Sequence, residues 1–199
     1  MPSQVAIAIQ PELYFERQDI NTTIPEITSL TTEQLVDCVA AILESIIQEG
    51  NRNYTQPTEI PEPTCFHAKK IPPISIRDYL NRFIKFSNCH YDALVYALIY
   101  MDRIGEKYSS FTLDSFNVHR ILLLSLVSSI KFYDDAFYTN SYYAKIGGLA
   151  VQEFNQLEQE YLVNYIEFSL LVDAKIFASY YEALVSYYNS KFSTKAGAC

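Results

Sequence analysis

The chain has 199 residues, 49% of them hydrophobic, with a formal net charge of −8 and a pI of about 4.9. That length fills one well-packed core, and a mean hydropathy of −0.01 is that of a soluble globular protein. The acidic balance argues against nucleic acid or an anionic membrane surface as a main partner.

Cys38, Cys65, Cys89 and Cys199 are too few and too scattered for a disulfide framework. They read as free thiols in a reducing compartment, which implies an intracellular protein, nuclear or cytoplasmic. The start MPSQVAIAIQPELYFERQ has no basic segment followed by an apolar core, so no secretory signal is expected there. The apolar run Ile121 to Leu124 is soon interrupted by Ser125, Ser128 and Ser129, far short of a membrane span.

All eight prolines lie at or before position 73. Proline removes a backbone donor and clashes inside a helix, so the proline-free remainder permits long helices. In chain order, residues 1–30 show no strong period and are expected to be irregular. From Thr31, TTEQLVDCVAAILESIIQEG places Leu35, Val36, Val39, Ile42, Leu43, Ile46 and Ile47 at spacings of three and four. This predicts an amphipathic helix over 31–50, capped by Thr31 or Thr32 and stopped at Gly50. Residues 51–73 carry five of the prolines and read as an extended connector laid along a surface.

Five helical patterns follow over 74–172. Ser75 is positioned to cap the first, with Ile76, Tyr79, Leu80, Phe83 and Ile84 as one stripe; the second runs from about His90 to Ile104. The third, HRILLLSLVSSIKFYDD, is apolar on nearly every side until its charged end, as expected of a helix surrounded by others. SYYAKIGG is a short fourth ending at its glycine pair. The fifth starts near Val151 and carries Phe154, Leu157, Tyr161, Leu162, Tyr165 and Phe168. A last helix follows Asp173 and leads into a tail, over 173–199. No segment alternates as a strand does, so the predicted class is all-α.

Catalytic and ligand-binding signatures are missing. The sequence has no GxxxxGK[ST] loop, GxSxG elbow, HExxH or paired CxxC, and His67, His90 and His119 lack zinc-ligand spacing. No metal, cofactor, small-molecule substrate or enzymatic activity is expected. Asp134 and Asp135 read as a solvated cap or a partner contact in preference to a catalytic pair. Lys69, Lys70, Arg77, Arg82 and Lys85 cluster in sequence and read as a solvated face. Most of the seventeen tyrosines lie on apolar stripes and read as core or interface rings.

The words IPPISIRDYLNRFIKFS, ALIYMDRI, NVHRILLLSLVSSIKFYDD, TNSYYAKIGGL and EFNQLEQEYLVNYIEFSL, in this order and spacing, resemble the phosphate-regulatory (P/U-type) cyclins. The resemblance covers about residues 31–188. It implies a single five-helix cyclin box with one helix before it and one after, serving as the regulatory subunit of a cyclin-dependent protein kinase. It further implies that Lys131 lies at the kinase interface, with Glu158 or Glu160 as its acidic companion. The register from Glu158 to Phe168 differs by one residue from better-known cyclins.

By the same resemblance Phe132 and Tyr133 supply apolar contact area, and Asp134 or Asp135 meets a kinase arginine near the activation segment. Arg77 and Asp102 match a buried structural ion pair of the box. His119 and Arg120 stand where many cell-cycle cyclins line a substrate-docking groove, and the chain has no tryptophan to complete one. A cyclin-box adaptor without a kinase is the alternative function.

Overall fold

A computed structural model describes residues 29–52 and 63–192. Expectations for residues 1–28, 53–62 and 193–199 lie outside the described residues. The described residues form seven α-helices and no strand: α1 Thr32–Asn51, α2 Ile76–Ser87, α3 Asp92–Lys107, α4 Val118–Tyr133, α5 Asn140–Gly147, α6 Val151–Glu160 and α7 Ala174–Lys191. A π-helical turn, Tyr161–Tyr165, continues α6.

Helix starts follow cap chemistry. Thr31 and Gln34 form a capping box before α1, with the Thr31 hydroxyl accepting from Gln34 N–H and the Gln34 carbonyl accepting from Thr31 N–H at 2.8 Å. Ser75 and Asp173 cap α2 and α7 through their side chains. Gly148, at φ +72°, closes α5 in the left-handed conformation that glycine adopts without a Cβ penalty. Gly50 is not a stop: it lies inside the last turn of α1, buried where that helix meets the backbone of Leu113.

Burial decides the layout. Helix α4 is buried on all sides from Ile121 to Ile130, and α3 runs along it. Helix α2 touches it through Tyr79, whose ring meets the His119 imidazole edge-on at 5.1 Å. Helix α6 and its π turn reach it through Ser125 and the Tyr161 hydroxyl, 2.8 Å apart in the core. Helix α1 packs on α2, α3 and α7, outside the central helix.

The segment from residue 63 is more than a surface strap. Phe66 is fully buried and packs edge-on against Tyr165 at 4.7 Å. His67 Nδ1 accepts the Thr64 N–H at 2.8 Å, so the neutral ring carries its proton on Nε2 and donates it to Asp114 at 3.0 Å. Asp114 Oδ1 in turn accepts from the N–H groups of Phe116 and Asn117, which fixes the approach to α4.

The apolar pattern of the fifth helix breaks at its end. Ile166 N–H bonds to the Tyr161 carbonyl, the i to i+5 spacing of a π turn, and Glu167 and Phe168 then take φ values of 48° and 54°. A π turn holds one residue more than an α turn and rotates the residues after it, so Phe168 emerges 64% exposed.

Candidate functional site

The charged end of α4 is the place where elements distant in sequence converge. Lys131 sits in the last turn, where the partial negative charge of the helix C-terminus favours an ammonium. Its Nζ donates to Glu158 Oε1 of α6 at 2.6 Å and to Asn140 Oδ1 at the start of α5. Asn140 Nδ2 donates to the other Glu158 oxygen at 2.7 Å and to Asn155 Oδ1 at 2.8 Å. The result is a closed triangle of ammonium, carboxylate and amide, with Lys131 and Glu158 side chains 25% and 13% exposed. Glu160 points elsewhere and accepts from Asn164 at 2.8 Å. The choice between the two acids therefore falls on Glu158. An ammonium has three N–H donors, and this triangle uses two of them.

Around the lysine the side chains divide into presented and retained. Phe132 is 46% exposed, and Phe137 in the following loop is 55% exposed. Tyr133 is turned inward: its ring stacks on Tyr96 at a centroid distance of 4.0 Å. Its hydroxyl accepts from Val172 N–H at 2.8 Å and donates to Leu170 carbonyl at 3.2 Å. Those two bonds flank Leu171, which is 74% exposed and so held beside the end of α4. Leu171 is an apolar member of this surface that the sequence pattern does not single out as a contact, whereas Phe168 follows Glu167, which pairs with Lys107 at the far end of α3. Asp134 caps α4, with its N–H on the Ile130 carbonyl, and burial pushes its carboxyl above the usual range against the opposing pull of His90. Asp135 is exposed.

The expected buried pair of Arg77 and Asp102 is not the arrangement found. Arg77 is half exposed and pairs with two acids of α1, Asp37 at 2.6 Å and Glu33 at 3.7 Å. Asp102 is 2% exposed and accepts from the Tyr180 hydroxyl of α7. The physical reason is the placement of α1 along α2, which brings carboxylates to Arg77 at the surface and leaves the interior carboxylate to α7. His119 is likewise interior at 9% exposed, with Nε2 on the Ile74 carbonyl at 3.0 Å. Arg120 reaches the carbonyls of Cys65 and His67 and the Glu153 carboxylate. Among the described residues no group of three ligating side chains is placed to hold a metal ion, and no helix is long and apolar enough to cross a membrane.

Comparison with known proteins identifies the family. The cyclin family description matches residues 27–170, and the chain belongs to that family. Within it the relatives are of the P/U type. The chain is 34% identical to Cyclin-U4-1 of Arabidopsis thaliana over 76% of its own length and 74% of that protein. It is 38% identical to Cyclin-P4-1 of Oryza sativa subsp. japonica, over 77% and 75%. It is also 34% identical to the PHO85 cyclin-like protein psl1 of Schizosaccharomyces pombe, over 82% and 71%. The chain is thus a P/U-type phosphate-regulatory cyclin.

Proposed function

We propose that this cyclin binds and activates a cyclin-dependent serine/threonine kinase by holding the kinase's αC helix and activation segment in their active arrangement. The observation that carries the reading is Lys131, set by Glu158 and Asn140 before any partner arrives. A kinase needs the lysine of its third strand paired with a glutamate on αC, and αC is the element that moves. A rigid surface that fits only the inward position shifts the equilibrium toward it. The unused Lys131 donor is suited to a backbone carbonyl at the base of αC. Phe132 and Leu171 offer exposed apolar area beside it, the usual source of interface energy. Asp134 and Asp135 stand next in line to meet an arginine near the activation segment. A kinase partner of this kind places the complex in the nucleus or cytoplasm.

The test is a pull-down from lysate of the source cells with tagged wild type beside Lys131→Glu, reading bound kinase by mass spectrometry and activity. The expected outcome is a kinase enriched by wild type and lost by the variant, with unchanged helical circular dichroism. Phe132→Ala, which does not disturb the triangle, is expected to weaken capture by about tenfold or more. A folded wild-type protein that captures no kinase would leave a cyclin-box adaptor as the better reading.

A further inference from the structure

A second surface runs along α2 and α5, starting from the end of α5 away from Asn140. Asn140, at the N-terminal end of this helix, turns toward Lys131 and Glu158, whereas at the C-terminal end the Lys145 carbonyl accepts from Arg82 Nη2 of α2 at 3.1 Å. That contact sets the Arg82 guanidinium against the backbone of Lys145, and Lys85 lies on α2 one turn beyond Arg82. All three side chains belong to exposed residues, and among the described residues none is paired with a carboxylate. Asp78, one turn before Arg82, is turned back onto Ser75, accepting its hydroxyl at 2.7 Å. Arg77, close by in sequence, is neutralised by Asp37 and Glu33. Of the five cations in the basic run of the sequence, Arg77 is used by the fold, and Arg82 and Lys85 remain on α2 without a carboxylate partner among the described residues.

Aromatic rings border these charges. The Tyr142 hydroxyl donates to the Phe86 carbonyl at 3.0 Å, tying the end of α2 to α5, and the Tyr138 ring packs on Tyr142 at a centroid distance of 4.3 Å. Phe86 is 47% and Tyr138 43% exposed. Lys85 Nζ lies 5.5 Å from the centroid of the Phe86 ring. Three cations beside exposed aromatics, on a chain of net charge −8, form a local inversion of the protein's field.

We propose that the face formed by Arg82, Lys85, Lys145, Phe86 and Tyr138 docks an acidic peptide segment of a partner protein, two or three Asp or Glu residues beside an apolar one. Charge complementarity selects this occupant. The acidic remainder of the chain repels an extended polyanion, so a short run of carboxylates fits where a nucleic acid or an anionic membrane does not. Arg82 commits one N–H to the Lys145 carbonyl, and its other donors are left for a carboxylate. The exposed rings give the apolar neighbour a place to pack. The proposal does not depend on a kinase, since its cations meet α5 at Lys145, the end away from Asn140 and Lys131.

A random peptide library displayed on phage, panned on the full chain and counter-selected on R82E/K85E/K145E, tests it. Recovered peptides are expected to carry clustered Asp or Glu beside an aliphatic or aromatic residue. A fluorescein-labelled synthetic copy should bind the reversed variant at least about tenfold more weakly than wild type by anisotropy, and bind wild type more weakly as salt is raised. The neutral variant R82Q/K85Q/K145Q should fall between the two, and circular dichroism should be the same for all three. Recovery of peptides without acidic residues, equal affinity for the reversed variant, or tighter patch-dependent binding of a single-stranded oligonucleotide or of anionic vesicles would each overturn the proposal.

Discussion

The Tyr133 hydroxyl holds Val172: it accepts that residue's N–H at 2.8 Å while donating to the Leu170 carbonyl at 3.2 Å, so the last turn of α4 fixes the chain on both sides of exposed Leu171. Tyr133→Phe keeps the stack on Tyr96 and removes both bonds. The expected loss is about 1–2 kcal/mol of stability, measured as a shift in urea midpoint. If Leu171 is a kinase contact, captured kinase falls in parallel in Tyr133→Phe and in Leu171→Ala, although only the first variant loses the anchor. Unchanged capture in both would remove Leu171 from the surface.

Most of the helical architecture was legible because helices declare themselves by spacing and caps. The stripe from Leu35 to Ile47, the Ser75 cap, the start of the last helix after Asp173, the all-round burial of Ile121 to Ile130 and the end of α5 at its glycine pair all appear as the sequence predicts. The illegible features depend on which elements meet. Asn140 completes the Lys131 and Glu158 triangle only because the start of α5 is folded against the end of α4, and no local pattern marks that asparagine. Arg77 finds Asp37 because α1 lies along α2, a tertiary fact. The π turn shifts the register by one residue without any proline or glycine to announce it, so Phe168 has the spacing of a core position.

Gly50 and Gly148 make opposite demands. A Cβ on Gly50 would stand 2.0 Å from the Leu113 carbonyl oxygen, which is backbone and cannot rotate away, whereas a Cβ on Gly148 meets nothing within 4 Å. Overpacking typically costs about 1–3 kcal/mol, and alanine returns up to about 1 kcal/mol in a helix interior. Gly50→Ala is therefore expected to destabilise by about 2 kcal/mol or more through separation of α1 from the 111–114 segment. Gly148→Ala carries only the left-handed backbone penalty, about 1 kcal/mol. Thermal melts of the two variants check the order; a milder effect at Gly50 would contradict the close approach.

The buried carboxylate of Asp102 depends in part on α7. Tyr180 donates its hydroxyl to that carboxylate in an interior where charged groups rely on hydrogen bonds. Tyr180→Phe is expected to lose about 1.5–3 kcal/mol, the range for a hydrogen bond to a charged group. Arg77→Ala, by contrast, breaks ion pairs at a half-exposed side chain and is expected to lose less than about 1 kcal/mol. Urea unfolding of both separates this arrangement from a buried Arg77 and Asp102 pair, in which loss of the arginine would be the more damaging change.

His119 links the seam between α2 and α4 to pH. Its Nε2 hydrogen is donated to the Ile74 carbonyl at 3.0 Å, its ring meets Tyr79 edge-on, and its Nδ1 is buried with no hydrogen-bond partner among the described residues. Burial lowers its pKa from 6.5, outweighing the bond to Ile74, which acts in the opposite direction. The unfolded chain then binds a proton at a higher pH than the folded one, so stability rises with pH through this window. The contribution is intact above the unfolded value of 6.5 and is progressively lost as pH falls toward the lowered folded value. His119→Gln has no proton to take up and is expected to flatten that part of the dependence. Urea midpoints of wild type and variant, compared at neutral pH and at mildly acidic pH, should converge on acidification, because only the wild type loses the histidine term. Parallel curves would mean that the His119 ring gains its proton as readily in the folded protein as in the unfolded chain.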